Sequence, residues 1–150
     1  MNKKKRPFVF ATLCLISMAG GVFGVLLAIL GMIDLELLTF ATYIPGYTSV
    51  KAITLNAHFL YPVVKIILYS ISFFGAFTMF RRLKSGFYVY VIAQLLLLAI
   101  PYLMWNFSAL EVFFTDLPDF AFTIAFIGAF ALYLPAMNQA MVSEESGTEK

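Results

Sequence analysis

Residues 59–105 read FLYPVVKIILYSISFFGAFTMF, then RRLKS, then GFYVYVIAQLLLLAIPYLMW. A helix needs about 20 apolar residues to cross the hydrocarbon core of a bilayer, and each outer run meets that length. Strands of a membrane barrel would alternate apolar and polar side chains over about ten residues. Leu95-Leu96-Leu97-Leu98-Ala99-Ile100 does not alternate. The basic segment Arg81-Arg82-Leu83-Lys84-Ser85 is too short to let its flanking helices part, so they read as an antiparallel transmembrane pair.

Two further runs have the same character. Phe8 to Met32 carries no charge, and Asp119 to about Met137 is acidic only at its first residue. The chain thus reads as a single all-α domain over residues 1–150. It is an integral membrane, antiparallel bundle of four transmembrane helices, at about 8–32, 59–80, 86–105 and 119–137, with short interfacial helices between spans. Residues 143–150 form a polar tail. Composition agrees: 62% of the 150 residues are hydrophobic and 12% charged, against roughly 25% charged in ordinary soluble domains. A net charge of +2 excludes a strongly basic nucleic-acid binder.

Orientation follows from where short flanks carry Lys and Arg. With the N-terminus in the cytoplasm, Lys3, Lys4, Lys5, Arg6, Arg81, Arg82, Lys84 and Lys150 share that side, and only Lys51 lies opposite. Both termini are then cytoplasmic. Asp34, Glu36, Glu111, Asp116 and Asp119 fall on the outer side. Lys3 to Arg6 followed by an apolar run has the look of a secretory signal, but the run continues to Met32 with no polar mature start. An uncleaved first helix is expected.

The connections carry their own signals. Ile44-Pro45-Gly46-Tyr47 reads as a turn, and Val50 to Ala57 as helical, running into the second span with Pro62 as a kink. Ser108-Ala109-Leu110-Glu111 is a capping box, which predicts a short interfacial helix over 109–115. Asp116, Pro118 and Asp119 then start the fourth span, where carboxylates suit the positive end of the helix dipole.

Lipid tails are as apolar as leucine, so close packing by small residues does much to pair membrane helices. Ser17, Gly21, Gly24, Ala28 and Gly31 recur at steps of four and three, along one helix face. This seam serves either contacts within the bundle or docking on a partner helix or a second copy. Ala121, Ala125 and Ala129, with Gly128 beside them, form a comparable row next to a ridge of Phe122, Phe126 and Phe130. Tyr88 and Tyr90 are expected in the aromatic belt at one membrane surface, Tyr102 and Trp105 at the other.

Polar groups within spans are costly and therefore informative. Three fates are open to Lys65: snorkelling to the headgroups, pairing with an outer acid (Asp34, Glu36, Glu111, Asp116 or Asp119), or lining an outward-facing cavity. His58 and Tyr69 fall near its helix face, so Lys65, His58, Tyr69, Asp34 and Glu36 form the candidate ligand or ion-pair site. Ser72 and Gln94 lie at equal depth on antiparallel helices, and Ser17 at a similar depth on the first. They are expected to form a hydrogen-bonded Ser17–Ser72–Gln94 cluster.

Signatures of chemistry are lacking. No HExxH, CxxC, GxSxG or phosphate loop occurs. One His and one Cys, near opposite faces, suggest neither a metal site nor a Cys–His nucleophile. No carboxylate pair is expected inside the membrane, and the acids at the surface do not suggest a proton-coupled pump. No catalytic residue, cofactor or metal is assigned.

The stretch Arg81-Arg82-Leu83-Lys84-Ser85-Gly86-Phe87-Tyr88-Val89-Tyr90 resembles small four-span bacterial inner-membrane proteins with a basic inner turn followed by Gly-Phe-Tyr-x-Tyr. The resemblance implies a bacterial inner-membrane location and no catalytic residues. Four-span quinone-linked thiol oxidoreductases need cysteine pairs, and small multidrug transporters rely on a buried glutamate in the first helix; both are missing here. The expectation is a non-enzymatic structural or accessory protein that sits in lipid and packs on a membrane partner or itself. The alternative is a small transporter or a ligand- or lipid-binding protein with an outward-facing site around Lys65.

Overall fold

A computed structural model describes residues 8–33, 43–44, 58–104 and 108–145, without the side chains of 111, 115 and 136–145. The described residues form four helices and no strand: α1 (Phe8–Ile33), α2 (Tyr61–Phe80), α3 (Ser85–Met104) and α4 (Ala109–Glu145). Each contains a stretch long and apolar enough to cross a membrane. The protein is an all-α membrane bundle.

Helix α2 is the centre of the packing, with α1 against one flank and α3 against another, while α4 touches α3 lightly and α1 less. Neighbours run antiparallel. Gly21 lies against Phe73 and Gly24 against Tyr69, so α1 ascends as α2 descends. A Cβ built on Gly24 would lie 2.5 Å from the Tyr69 ring, so the ring occupies the hollow that the glycine leaves. The α2–α3 pair is closer still. A Cβ on Gly86 would come within 2.5 Å of the Met79 backbone nitrogen and 2.6 Å of the Gly75 carbonyl oxygen. Backbone thus meets backbone just after the basic turn, and only glycine permits it. The turn itself closes by placing Arg82 at φ 68°, a left-handed conformation that a side chain resists.

The core is split. Near the Arg81–Lys84 turn, Phe10, Cys14, Ala76, Met79, Phe87, Tyr90 and Phe130 pack together from all four helices. Phe10 meets Phe130 edge-on with centroids 6.2 Å apart. At the far end the cluster is Tyr61, Leu68, Leu97 and Ile100, from α2 and α3 alone.

Two prolines act differently from expectation. Pro62 sits in the first turn of α2, where its missing N–H leaves no helical bond unmade. It starts the helix instead of kinking it, while residues 50–57 lie outside the described segments. Pro118 is internal to α4, which runs unbroken from Ala109 through the position where a separate span was expected to begin. Proline's φ is itself helical; it removes one hydrogen bond, and the helix continues on either side. The predicted helix over 109–115 is present and fused to the fourth span.

Candidate functional site

Because α4 stands off from α1, a cavity of about 490 Å³ lies among the four helices. Its α4 wall includes Asp116, Asp119, Thr123 and Phe126, whose spacings of three and four put them on one helix face. From Asp116 to Phe126 that face is about 15 Å long at 1.5 Å per residue. The cavity therefore extends from the far end, where α2 begins, to the middle of the bundle.

Its far end is charged. Lys65, one turn into α2, is only 7% exposed. It turns into the bundle instead of snorkelling outward. Its Nζ lies 5.0 Å from the Tyr61 ring centroid and 6.0 Å from that of Tyr69, within the range of cation–π attraction. Asp116 and Asp119 line the same cavity and act electrostatically on the ammonium. Asp116 is 5% exposed. The acids expected at the membrane surface thus include a buried one, and two carboxylates lie within a candidate span, Asp116–Pro135. An Asp beside a proline reads as a helix start, but α4 had already begun a full two turns earlier. A buried acidic group is therefore present, contrary to the expectation from sequence.

Midway along, the cavity meets a polar network. Gln94 Nε2 donates to Ser72 Oγ at 3.0 Å. Ser17 Oγ donates to the Tyr90 hydroxyl at 3.4 Å, and that hydroxyl also interacts with Gln94. The three expected residues are brought together, but Ser17 joins through Tyr90 instead of bonding Ser72. Tyr90 is 3% exposed, so it belongs to the core and not to the aromatic belt; its neighbour Tyr88 is exposed. Phe23, Leu97, Leu98, Phe122 and Phe126 give the remaining wall its apolar character.

The other candidate residues divide. Tyr69 lines the cavity and covers Gly24. Ser17, Gly21, Gly24 and Ala28 are buried, and Gly31 is half-buried; the first four face neighbours within the bundle. His58 is exposed and does not line the cavity. Its Nδ1 accepts from the Leu60 amide at 3.3 Å, and its own amide donates to the Met104 carbonyl at 3.0 Å. It ties the start of α2 to the end of α3. Asp34, Glu36 and Trp105 lie outside the described residues. Tyr61 falls near the Lys65 face by helical spacing but is not among the candidates read from sequence; its side chain is 1% exposed and its hydroxyl has no hydrogen-bond partner among the described residues.

The site has features of a small-molecule site, which usually occupies roughly 300–1,000 Å³ with apolar walls and a few convergent polar groups. Among the described residues no group of three or more His, Cys, Asp or Glu is placed to hold a metal ion. No protein-family model, curated protein or solved structure matches the chain.

Proposed function

We propose that the protein binds an amphipathic ligand inside the membrane, as a small transporter or a lipid-handling protein, in the cavity around Lys65. One observation carries this reading: a lysine and two aspartates converge on a roomy cavity that also has a polar network and apolar walls. Ionisable groups at membrane depth are expensive and commonly mark substrate or ion pathways. A purely structural bundle has less reason to combine them with open space. The distribution of eight Lys and Arg against one supports a bacterial inner membrane with cytoplasmic termini, the charged end of the cavity lying toward the outer face. No catalytic activity is proposed.

The accessory role has the α1 seam or the outer loops as its docking surface; within the seam Gly21 lies against Phe73 and Gly24 against Tyr69, and the outer loops lie largely outside the described residues. What still favours a partner helix is the outward row Ala121, Ala125 and Gly128 on α4, all exposed.

The test is to block the cavity from its loosest wall. Thr123→Trp on α4 should leave the tight α1–α2–α3 layer untouched and fill the space. Full-length protein in nanodiscs is expected to bind single-chain amphiphiles with about one-to-one stoichiometry, and Thr123→Trp to weaken that binding about tenfold. Equal binding by both forms, with nanodisc partitioning subtracted, overturns the reading.

A further inference from the structure

We infer that the cavity admits one acyl chain of a bilayer phospholipid, sideways between α1 and α4, while the headgroup and second chain of that lipid stay in the leaflet. This rests on the binding reading above and adds the class of the occupant and its route.

The first support is where the cavity is open. The described residues that line it from α2 and α3 are all buried or half-buried. The exposed ones are Ile16 and Ala19 of α1 and Phe122 of α4. Close contacts shut the other flanks. Phe73 and Tyr69 lie on Gly21 and Gly24 between α1 and α2, and Tyr90 lies on Gly75 between α2 and α3. The Tyr90–Phe130 ring contact joins α3 to α4. Helices α1 and α4 meet only lightly. Phe10 packs there on Phe130 and Tyr133, with centroids 6.2 and 5.5 Å apart, near the basic turn and outside the cavity lining. The mouth is therefore the gap that α1 and α4 leave beyond that contact.

The second support is depth. Ile16 and Ala19 lie eight and eleven residues past Phe8, where α1 begins. At 1.5 Å per residue that is about 12 and 16 Å, in a hydrocarbon core about 30 Å thick. Phe122 lies six residues into the span that starts at Asp116, or about 9 Å from its other end. What meets the mouth in a membrane is hydrocarbon, not water or headgroups.

The third support is the interior. Leu97, Leu98, Phe122 and Phe126 make an apolar wall. The polar groups midway along are turned on one another, Gln94 donating to Ser72 and Ser17 to Tyr90. Atoms that line open space lack dispersion partners on that side, and an alkyl chain supplies them. Lipid tails are as apolar as leucine, so a chain moving from leaflet to cavity gives up no hydration. An opening on the flank, rather than at the end, lets the chain enter while still joined to its own headgroup.

The experiment uses full-length protein in phosphatidylcholine nanodiscs. One probe is phosphatidylcholine with a photoreactive diazirine midway along one acyl chain; the other is a diazirine-bearing dodecanol. Labelled positions are read by peptide mass spectrometry. Leu95 and Leu96 are exposed, whereas the next two residues, Leu97 and Leu98, are buried and line the cavity. The phospholipid is expected to label both pairs. Ala19→Trp, which crowds the mouth, should cut its labelling of Leu97 and Leu98 about fivefold and leave Leu95 and Leu96 unchanged. Ile92→Trp, at an exposed position of α3 outside the lining, should change neither. Phospholipid labelling confined to Leu95 and Leu96, with dodecanol still reaching Leu97 and Leu98, overturns the acyl-chain assignment while leaving a ligand cavity in place. Equal labelling of Leu97 and Leu98 in Ala19→Trp overturns the route between α1 and α4. Failure of both probes to reach Leu97 and Leu98 removes the binding reading as well.

Discussion

In α1 the small residues Ser17, Gly21, Gly24 and Ala28 are buried; in the α4 row Ala121 and Ala125 are exposed, as is the adjacent Gly128, while Ala129 is half-buried. A Cβ on Gly24 would strike the Tyr69 ring, whereas a Cβ on Gly128 meets nothing within 4 Å. Along the large row of α4 burial rises from Phe122, which is exposed, through half-buried Phe126 to fully buried Phe130. A small-residue repeat marks a face that a neighbour can approach; the neighbour's side chains decide whether it does. Helix α2 offers Tyr69 and Phe73, whose bulk needs a hollow. Helix α3 offers Tyr90, which meets Phe130 ring to ring at 5.2 Å. Hollow-filling brings α1 onto α2, while α4 meets α3 through ring contacts and stands off from α1. The cavity is the space left by that difference.

Three substitutions probe this contrast. Gly24→Leu should have the largest effect, because an isobutyl group has to displace the Tyr69 ring; overpacking of this kind costs roughly 1–3 kcal/mol. Thermal unfolding in detergent measures it, and an unchanged melting temperature would break the α1–α2 half of the comparison. Gln94→Leu should cost about 1 kcal/mol, the scale of interhelical hydrogen bonds in membranes, by removing the donor to Ser72 while leaving membrane insertion intact. No loss of stability would mean that the network is incidental to the packing. Gly128→Leu should change stability by no more than about 0.5 kcal/mol, as at other exposed positions. A loss as large as that of Gly24→Leu would show that the α4 row is covered in the working protein, by a partner helix or a second copy.

Spans and pairing were legible because length and apolarity are local properties. The runs at Phe8 and Tyr61 needed no knowledge of neighbours, and the short turn dictated one antiparallel pair. The equal depth of Ser72 and Gln94 followed from counting along two helices joined by that turn. Other features depend on which way a face turns. Tyr90 lies near a basic turn, as a belt residue would, and only the Gly75–Tyr90 approach reveals that α3 points it inward. Asp116 beside Pro118 carries the local signature of a helix start. Its burial depends on α4 beginning at Ala109 and on Lys65 facing it across the bundle, which no spacing along one segment reports. Gly86 stood in view within Gly-Phe-Tyr-x-Tyr, yet its role depends on the backbone of α2.

The meeting of Phe10 with Phe130 has a consequence for the order of assembly. These rings come from the first and the last described helices, so their contact spans nearly the whole sequence between them. The α2–α3 hairpin closes through a short turn and has little loop entropy to overcome. A chain emerging from the ribosome N-terminus first lays down α1, α2 and α3 as a layer before α4 exists. In that interval Lys65 lies in the bilayer without Asp116 or Asp119. Its place one turn from the start of α2 lets its long stem reach the headgroups. A lysine so placed has two berths within reach of its stem, the headgroups before α4 inserts and the cavity after it.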